Sequence, residues 1–365
     1  MATSECAPPE FYITVVPGLE DIAAQEVVER GGRMVSSRPG KLFLSFDDPR
    51  PLLALRSAMN LYAFVGERAD VPPDASAGPL LSRAAAELDL GPALAQHAAL
   101  TPPPQQPSFR ITAVRSGRHG YTSQDIAAWT GAGVQQQTGW RVDLEGHDYE
   151  IEVEVVGPRA LFGLRLGPGY RERRQKAAYH PASLNPTVAY AMLRLNGYST
   201  DERFLDVACG GGTLLTERAA LGPARLLVGG DIWWRALEIA RRNLAAEGVT
   251  ASVLRWDAGR LPLRDASVDR AASNLPFGHR VGHAQQVRGF YRRLLPELAR
   301  VLRPGGRAAL LTSRRRWLDL ALRDCAELRR EGRRRIVLGG KESFIFLLAR
   351  RSAGAPAQQR GFGAR

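Results

Sequence analysis

Three carboxylates and one carboxamide, Asp206, Asp231, Asp257 and Asn274, each stand at or just beyond the end of a short apolar run. Asp206 opens Asp-Val-Ala-Cys-Gly-Gly-Gly-Thr, in which Gly210 and Gly212 allow backbone to approach a ligand closely and Thr213 leads into a helical run over 214–220. The same glycines would equally serve a tight strand-to-helix connection with no ligand. The next run favours the ligand. Residues 226–230 end at Asp231, ahead of an amphipathic stretch over 234–244, which is where a nucleoside-binding sheet carries its ribose-binding acid. A free carboxylate there suits a ribose diol better than a 2′-phosphate. Asp257, in Leu-Arg-Trp-Asp, repeats the pattern. The fourth run ends in Asn274-Leu275-Pro276-Phe277, which sets an amide oxygen, a backbone carbonyl and an aromatic face side by side. Taken alone this tetrapeptide reads as a capped turn with a buried phenylalanine; behind acids at three preceding strand ends it reads as a reaction site.

Such residues converge only if strand ends are brought together. From Phe204 onward, strands expected over 203–207, 226–229, 251–255, 268–273 and 307–312 alternate with longer helical segments. That alternation predicts a parallel, doubly wound sheet with ligands at the carboxyl ends of its strands. A hairpin over 335–338 and 343–349, around Gly339-Gly340, closes the region. Upstream, a strand over 11–16, a helix over 19–30, a strand over 41–46, a helix over 51–59 and a strand over 61–66 predict a small α+β unit, followed by a proline-rich linker over 71–79. A second α+β unit has a helix over 80–88, a loop with four prolines over 101–107, a strand over 109–114, a helix over 123–134 and strands over 149–156 and 160–166. Trp233 and Trp234 are expected to pack beneath the helix that follows Asp231.

At Asn274-Leu275-Pro276-Phe277 the sequence resembles the class I S-adenosylmethionine-dependent methyltransferases that modify exocyclic amino groups, whose tetrapeptide is usually Asp or Asn, Pro, Pro, then Phe or Tyr. The lone pair of such an amine is delocalised into its ring and attacks a methyl sulfonium poorly, so accepting both amine hydrogens helps. The resemblance implies that the Asn274 side chain and the Leu275 carbonyl take one hydrogen each while Phe277 stacks on the extruded base. Further upstream, Phe109-Arg-Ile-Thr-Ala-Val-Arg115-Ser-Gly-Arg118-His119 through Thr122-Ser-Gln-Asp125 is similar to the core of a THUMP domain, an RNA-binding module. Residues 180–192 resemble the segment joining THUMP to methyltransferase in tRNA guanine-N2 methyltransferases. The N-terminal unit is similar to the ferredoxin-like domain that precedes THUMP in the enzymes that methylate guanosine 6 of the acceptor stem.

This resemblance covers most of residues 10–350 and implies an α/β fold: a doubly wound, Rossmann-like methyltransferase domain preceded by two small α+β domains. The corresponding division is a ferredoxin-like domain over 1–72, a THUMP-like domain over 73–168, a connector over 169–192, the catalytic domain over 193–351 and a tail over 352–365. It also implies S-adenosylmethionine as cofactor, with Asp206, Gly210, Gly212 and Thr213 around its methionine part, Asp231 on the ribose, Ile232 and Asp257 at adenine, and Asn274 beside the reacting methyl. The catalytic segment is Asn274, Leu275, Pro276 and Phe277. The implied partner is tRNA, held by Arg115, Arg118 and His119 in the THUMP region and by Arg173 and Arg174 in the connector. One departure from the family pattern is Leu275 in place of proline, which loosens the preset geometry of the loop.

A second departure lies in the charge. The formal net charge is +13, yet residues 1–170 hold 14 basic and 20 acidic residues against 36 and 17 in 171–365. RNA docking by the first half therefore rests on a local patch of Arg110, Arg115, Arg118 and His119, and otherwise on the basic second half. Arginine-rich solvated faces account for the same charge without RNA. Substrate alternatives are ribosomal RNA or a small molecule, and the non-enzymatic alternative is an RNA-binding protein with a decayed catalytic domain. No apolar run reaches the length of a membrane span, and residues 1–10 lack the basic start and apolar core of a signal peptide. Three scattered cysteines fit neither a disulfide framework nor a zinc site, so a reducing cytoplasm is expected. His279 and His283 lack a partnering Glu or Cys, and no metal is assigned.

Overall fold

The computed structural model describes residues 9–169, 177–178, 183–276 and 284–352. The chain divides into two compact units at the connector, with Val16–Ile22 grouped with the second.

In the first unit the elements are β1 (Phe11–Thr14), α1 (Glu20–Glu29), β2 (Arg33–Arg38), β3 (Lys41–Ser45), a 3-10 turn over Arg50–Ala54, β4 (Asn60–Arg68), α2 (Ala77–Ala86), α3 (Gly91–Ala98), β5 (Ser108–Ser116), α4 (Ser123–Thr138), β6 (Arg141–Val142), β7 (Tyr149–Val156) and β8 (Arg159–Arg165). The expected helix over 51–59 is only that short turn, with proline in its first positions. All eight strands form one sheet, in the order β2-β3-β1-β4-β8-β7-β5-β6. β4 pairs antiparallel with β8, Tyr62 opposite Arg165, so strands from both sides of the proline-rich 71–79 segment share one ladder. They also share one core: Phe11, Leu44 and Leu61 belong to the same buried cluster as Phe109, Ile151 and Phe162. The division expected at residue 72 thus falls inside one compact unit. The longest helix of this unit, α4, starts at a capping box in which Thr122 and Asp125 satisfy each other's backbone N–H groups.

The second unit runs α5 (Pro186–Asn196), β9 (Arg203–Asp206), α6 (Thr213–Ala220), β10 (Leu226–Asp231), α7 (Trp234–Ala246), β11 (Ser252–Arg255), β12 (Val268–Asn274), α8 (Ala284–Val301), β13 (Leu302–Thr312), α9 (Arg315–Arg323), β14 (Leu328–Leu338) and β15 (Lys341–Arg350). Its sheet has the order β11-β10-β9-β12-β13-β15-β14. The first five strands are parallel, as alternation with helices requires, and β15 and β14 add an antiparallel hairpin. Helix α5 begins at an Asn185 cap followed by proline, and Val188 to Leu193 along it are all buried, so the last part of the 169–192 segment is core of this unit. Strand order reverses between β9 and β12, which opens a crevice at their carboxyl ends.

Candidate active site

Asp206 closes β9 beside this crevice, and Asn274 closes β12. The two strand ends are tied by Ser273, whose hydroxyl donates to Asp206 Oδ1 at 2.8 Å, while the Ala208 N–H reaches the same oxygen at 3.2 Å. Asp206 is 2% exposed. Burial pushes its carboxyl up to about 7, opposed by the Ser273 and Ala208 hydrogen bonds and reinforced by the nearby Asp231 charge.

The glycine turn is clamped from three sides. The Cys209 N–H donates to Gly230 O at 2.9 Å, the Asn243 side chain on α7 donates to Gly211 O at 2.9 Å, and the Trp256 indole donates to Val207 O at 2.9 Å. Gly212 caps α6 in the left-handed region at φ 82°, which a side chain would strain. Gly230 has a different reason: a Cβ there would sit 2.3 Å from the Trp256 indole, so only glycine lets that ring lie under the turn. Cys209 is buried, and burial pushes its thiol up, which removes it as a nucleophile.

Asp231 is held at the end of β10 by the turn itself, its Oδ2 accepting the Gly210 N–H and its Oδ1 the Trp233 N–H, both at 3.0 Å. Each oxygen keeps acceptor capacity for a hydroxyl. Ile232 follows, half exposed, and the Asp257 carboxylate, also exposed, accepts the Gly259 N–H at 2.9 Å with Arg293 at 3.8 Å. The expectation for Trp233 and Trp234 is overturned: they are 60% and 54% exposed. Asp231 takes the Trp233 backbone and leaves its ring outside, while Trp234 lies under the Arg241 guanidinium, 5.1 Å from ring centroid to charge. The indole that packs beneath the turn is Trp256.

At the end of β12 the Asn274 side-chain oxygen is buried and has no hydrogen-bond partner among the described residues. Buried acceptors are normally satisfied, so this oxygen keeps its full capacity to accept from a donor. Leu275 is 1% exposed, its N–H donating to Leu311 O at 3.0 Å, and the Pro276 carbonyl accepts the Tyr291 hydroxyl at 3.0 Å. Phe277, Arg173, Arg174, His279 and His283 lie outside the described residues.

In the first unit, Arg115 is the next-to-last residue of β5 and Arg118 stands in the following turn, both exposed and without an acidic partner among the described residues. His119 is committed elsewhere: its Nε2–H donates to Gly157 O at 3.0 Å, bracing the turn between β7 and β8. Arg110 is likewise occupied, paired with Glu150 at 2.9 Å. Sequence reasoning missed Ser273, Asn243, Trp256, Tyr291 and Thr312. Ser273 adjoins the motif and could have been found by asking which neighbour faces Asp206; the others come from elements whose packing no local pattern reveals. Among the described residues no helix is long and apolar enough to cross a membrane, and no group of His, Cys, Asp and Glu could hold a metal ion.

A five-stranded parallel sheet with acids and a glycine turn at its switch point, extended by an antiparallel hairpin, defines a class I methyltransferase domain. A family model described as the RMKL-like methyltransferase domain matches residues 171–343, and one for the THUMP domain matches residues 93–165. A tRNA (guanine(6)-N2)-methyltransferase of Thermus thermophilus is 34% identical over 348 residues, covering 92% of this chain and 98% of that one. The crystal structure of TrmN from Thermus thermophilus superposes with a TM-score of 0.75 at 30% identity, over 93% of this chain and 99% of that one. The tRNA (guanine(6)-N(2))-methyltransferase THUMP3 of Mus musculus is 30% identical over 263 residues, and the match spans 68% of this chain and 52% of that one. A putative methyltransferase solved with SAH shares the fold at a TM-score of 0.73 and 17% identity. The chain belongs to the THUMP-containing tRNA (guanine-N2)-methyltransferase family, whose cofactor is S-adenosylmethionine.

Proposed function

We propose that this protein methylates the exocyclic N2 amine of a guanosine in tRNA, at position 6 of the acceptor stem. The carrying observation is the buried Asn274 side-chain oxygen at the end of β12, unpartnered among the described residues. It fits an amine hydrogen, and the adjacent Leu275 carbonyl fits the second, which localises the nitrogen lone pair and aims it into the crevice. Phe277 would offer a stacking face for the extruded base. Bound S-adenosylmethionine supplies an electrophilic methyl group. Around it, Asp206, Gly210, Gly212 and Thr213 take the methionine part, Asp231 the ribose diol, and Ile232 and Asp257 the adenine. An amide at 274 suits this task, since the nitrogen turns acidic as the methyl is transferred and solvent can take its proton. Position 6 is chosen because the guanine-6 relative aligns over nearly the whole chain. For RNA, Arg115 and Arg118 in the first unit and Arg173 and Arg174 in the connector supply phosphate contacts, with His119 supporting its turn. The reducing cytoplasm expected from the cysteines is the proposed compartment; Cys209 and Cys325 are free.

The test is nucleoside mass spectrometry of tRNA from a deletion strain complemented with wild type or Asn274→Ala. Wild type should restore N2-methylguanosine at position 6. The Asn274→Ala enzyme should turn over ~10²-fold more slowly while binding tRNA normally, as expected when an interaction matters mainly in the transition state. If tRNA binding collapses with the rate, Asn274 is a structural cap; if tRNA methylation is unchanged by the deletion, the substrate is wrong.

A further inference from the structure

The catalytic tetrapeptide has leucine at its second position, so ring rigidity does not preset the backbone there. The loop is instead fixed from outside at two points. The Leu275 N–H, which a proline would lack, donates to Leu311 O at 3.0 Å. One residue on, the Pro276 carbonyl accepts the Tyr291 hydroxyl at 3.0 Å. A carbonyl can only accept, so this bond uses the one Tyr291 proton. The 2.8 Å contact between Tyr291 Oη and Thr312 Oγ1 must then carry the Thr312 proton, and Thr312 Oγ1 in turn accepts the Arg314 N–H at 2.8 Å. Every proton in this series, from α9's start through the end of β13 to α8 and the loop, has one place to go. Tyr291 and Thr312 are both 0% exposed, and burial pushes the Tyr291 phenol up to about 12, so it remains a donor at any working pH.

The peptide unit bearing the Leu275 carbonyl lies between these anchors. The plane before it is held through the Leu275 N–H, the plane after it through the Pro276 carbonyl, and the proline ring restricts the φ between. Two acceptors that must meet the two hydrogens of one amine need that plane fixed. We propose that Tyr291, backed by Thr312, is a positioning residue that orients the Leu275 carbonyl toward the target amine. The assignment rests on the reading of Asn274 and Leu275 as amine acceptors.

The experiment uses the full chain with tRNA and S-adenosylmethionine, comparing Tyr291→Phe, Thr312→Val and Thr312→Ser with Asn274→Ala. Tyr291→Phe should lower kcat by ~10- to 100-fold, the scale of a small misplacement of reacting groups, with both ligand dissociation constants within about twofold of wild type. Thr312→Val should share the loss, whereas Thr312→Ser keeps the hydroxyl and should retain activity. The double variant Tyr291→Phe/Thr312→Val should be no slower than Tyr291→Phe alone, because Thr312 acts through Tyr291. Should Tyr291→Phe not fold, the Thr312 pair carries the test. Tyr291→Phe at full kcat beside an inactive Asn274→Ala overturns the positioning role alone, as does a loss of rate matched by an equal loss of tRNA binding. Full activity in Asn274→Ala overturns the underlying reading instead.

Discussion

Acidification should weaken S-adenosylmethionine binding through Asp206, and the structure sets the range. The carboxyl sits at about 7 where an unperturbed aspartate sits at 3.8, because it is buried. In the free protein it is therefore largely neutral at pH 6. The cofactor carries a sulfonium and an ammonium, and cations placed near a carboxyl favour its ionised form, so binding should expel a proton. With a free-protein value of about 7, release is bounded by the protonated fraction of the free carboxyl, about 0.9 proton at pH 6, about 0.5 at pH 7 and about 0.1 at pH 8. Affinity should correspondingly fall by up to ~10-fold for each pH unit below about 7 until the value in the complex is reached. Titration calorimetry in two buffers of different ionisation heat measures the released proton directly. Asp206→Asn is the control, since the cofactor's own amino group contributes to both proteins and cancels in the difference. If wild type and Asp206→Asn release the same number of protons at all three pH values, the carboxyl does not face the cofactor or is not raised. The same group makes a separate statement about folding. Its value is higher folded than unfolded, so the native state binds the extra proton, and its contribution to stability should decline as pH rises from about 4 to about 7, a part of the pH dependence that Asp206→Asn removes.

Asp231→Ala should cost ~2 to 4 kcal/mol of S-adenosylmethionine binding, two charge-assisted hydrogen bonds' worth, read by calorimetry on the folded variant; an unchanged dissociation constant removes Asp231 from the ribose site. Arg115→Ala/Arg118→Ala and Arg173→Ala/Arg174→Ala should each weaken tRNA binding and flatten its logarithmic salt dependence by ~0.7 to 0.9 for every phosphate that is no longer neutralised. An unaltered slope in the first pair alone would mean that the THUMP region does not grip phosphate through this turn. Gly230→Ala forces the Trp256 indole from its place and should destabilise by ~1 to 3 kcal/mol, the usual cost of overpacking, seen in chemical denaturation. A wild-type midpoint would show that the ring is not confined there.

The catalytic half was the more legible because apolar stretches in β9, β10 and β12 stop at a polar residue, so Asp206, Asp231 and Asn274 announce both the element and its active end. Where strands are polar the signal vanishes. β2, Arg-Met-Val-Ser-Ser-Arg, is an exposed edge strand read from neither apolarity nor alternation, and most of β14 reads as an arginine run before it reads as a strand. The site's supports were hidden for another reason. Trp256 beneath the turn and Tyr291 behind the loop are ordinary apolar-pattern residues in sequence, and only the fold shows where their single polar atoms point. The exposed tryptophans failed in the opposite sense: hydrophobic type suggested burial, but the backbone bond from Trp233 to Asp231 turns the segment outward.

The shared ladder of the first unit bears on how this protein can be taken apart. β8 carries Ala-Leu-Phe-Gly-Leu, and its pairing with β4 keeps that run from being a free edge. A fragment beginning after the proline-rich segment would keep every THUMP strand yet unzip β8 along one side, leaving its backbone donors and acceptors open to any other chain. Such a piece should recruit copies of itself and clump. The N-terminal strands thus cover this edge from within the same molecule, and an RNA-binding module transplanted from this architecture should stay soluble only when they are carried along with it.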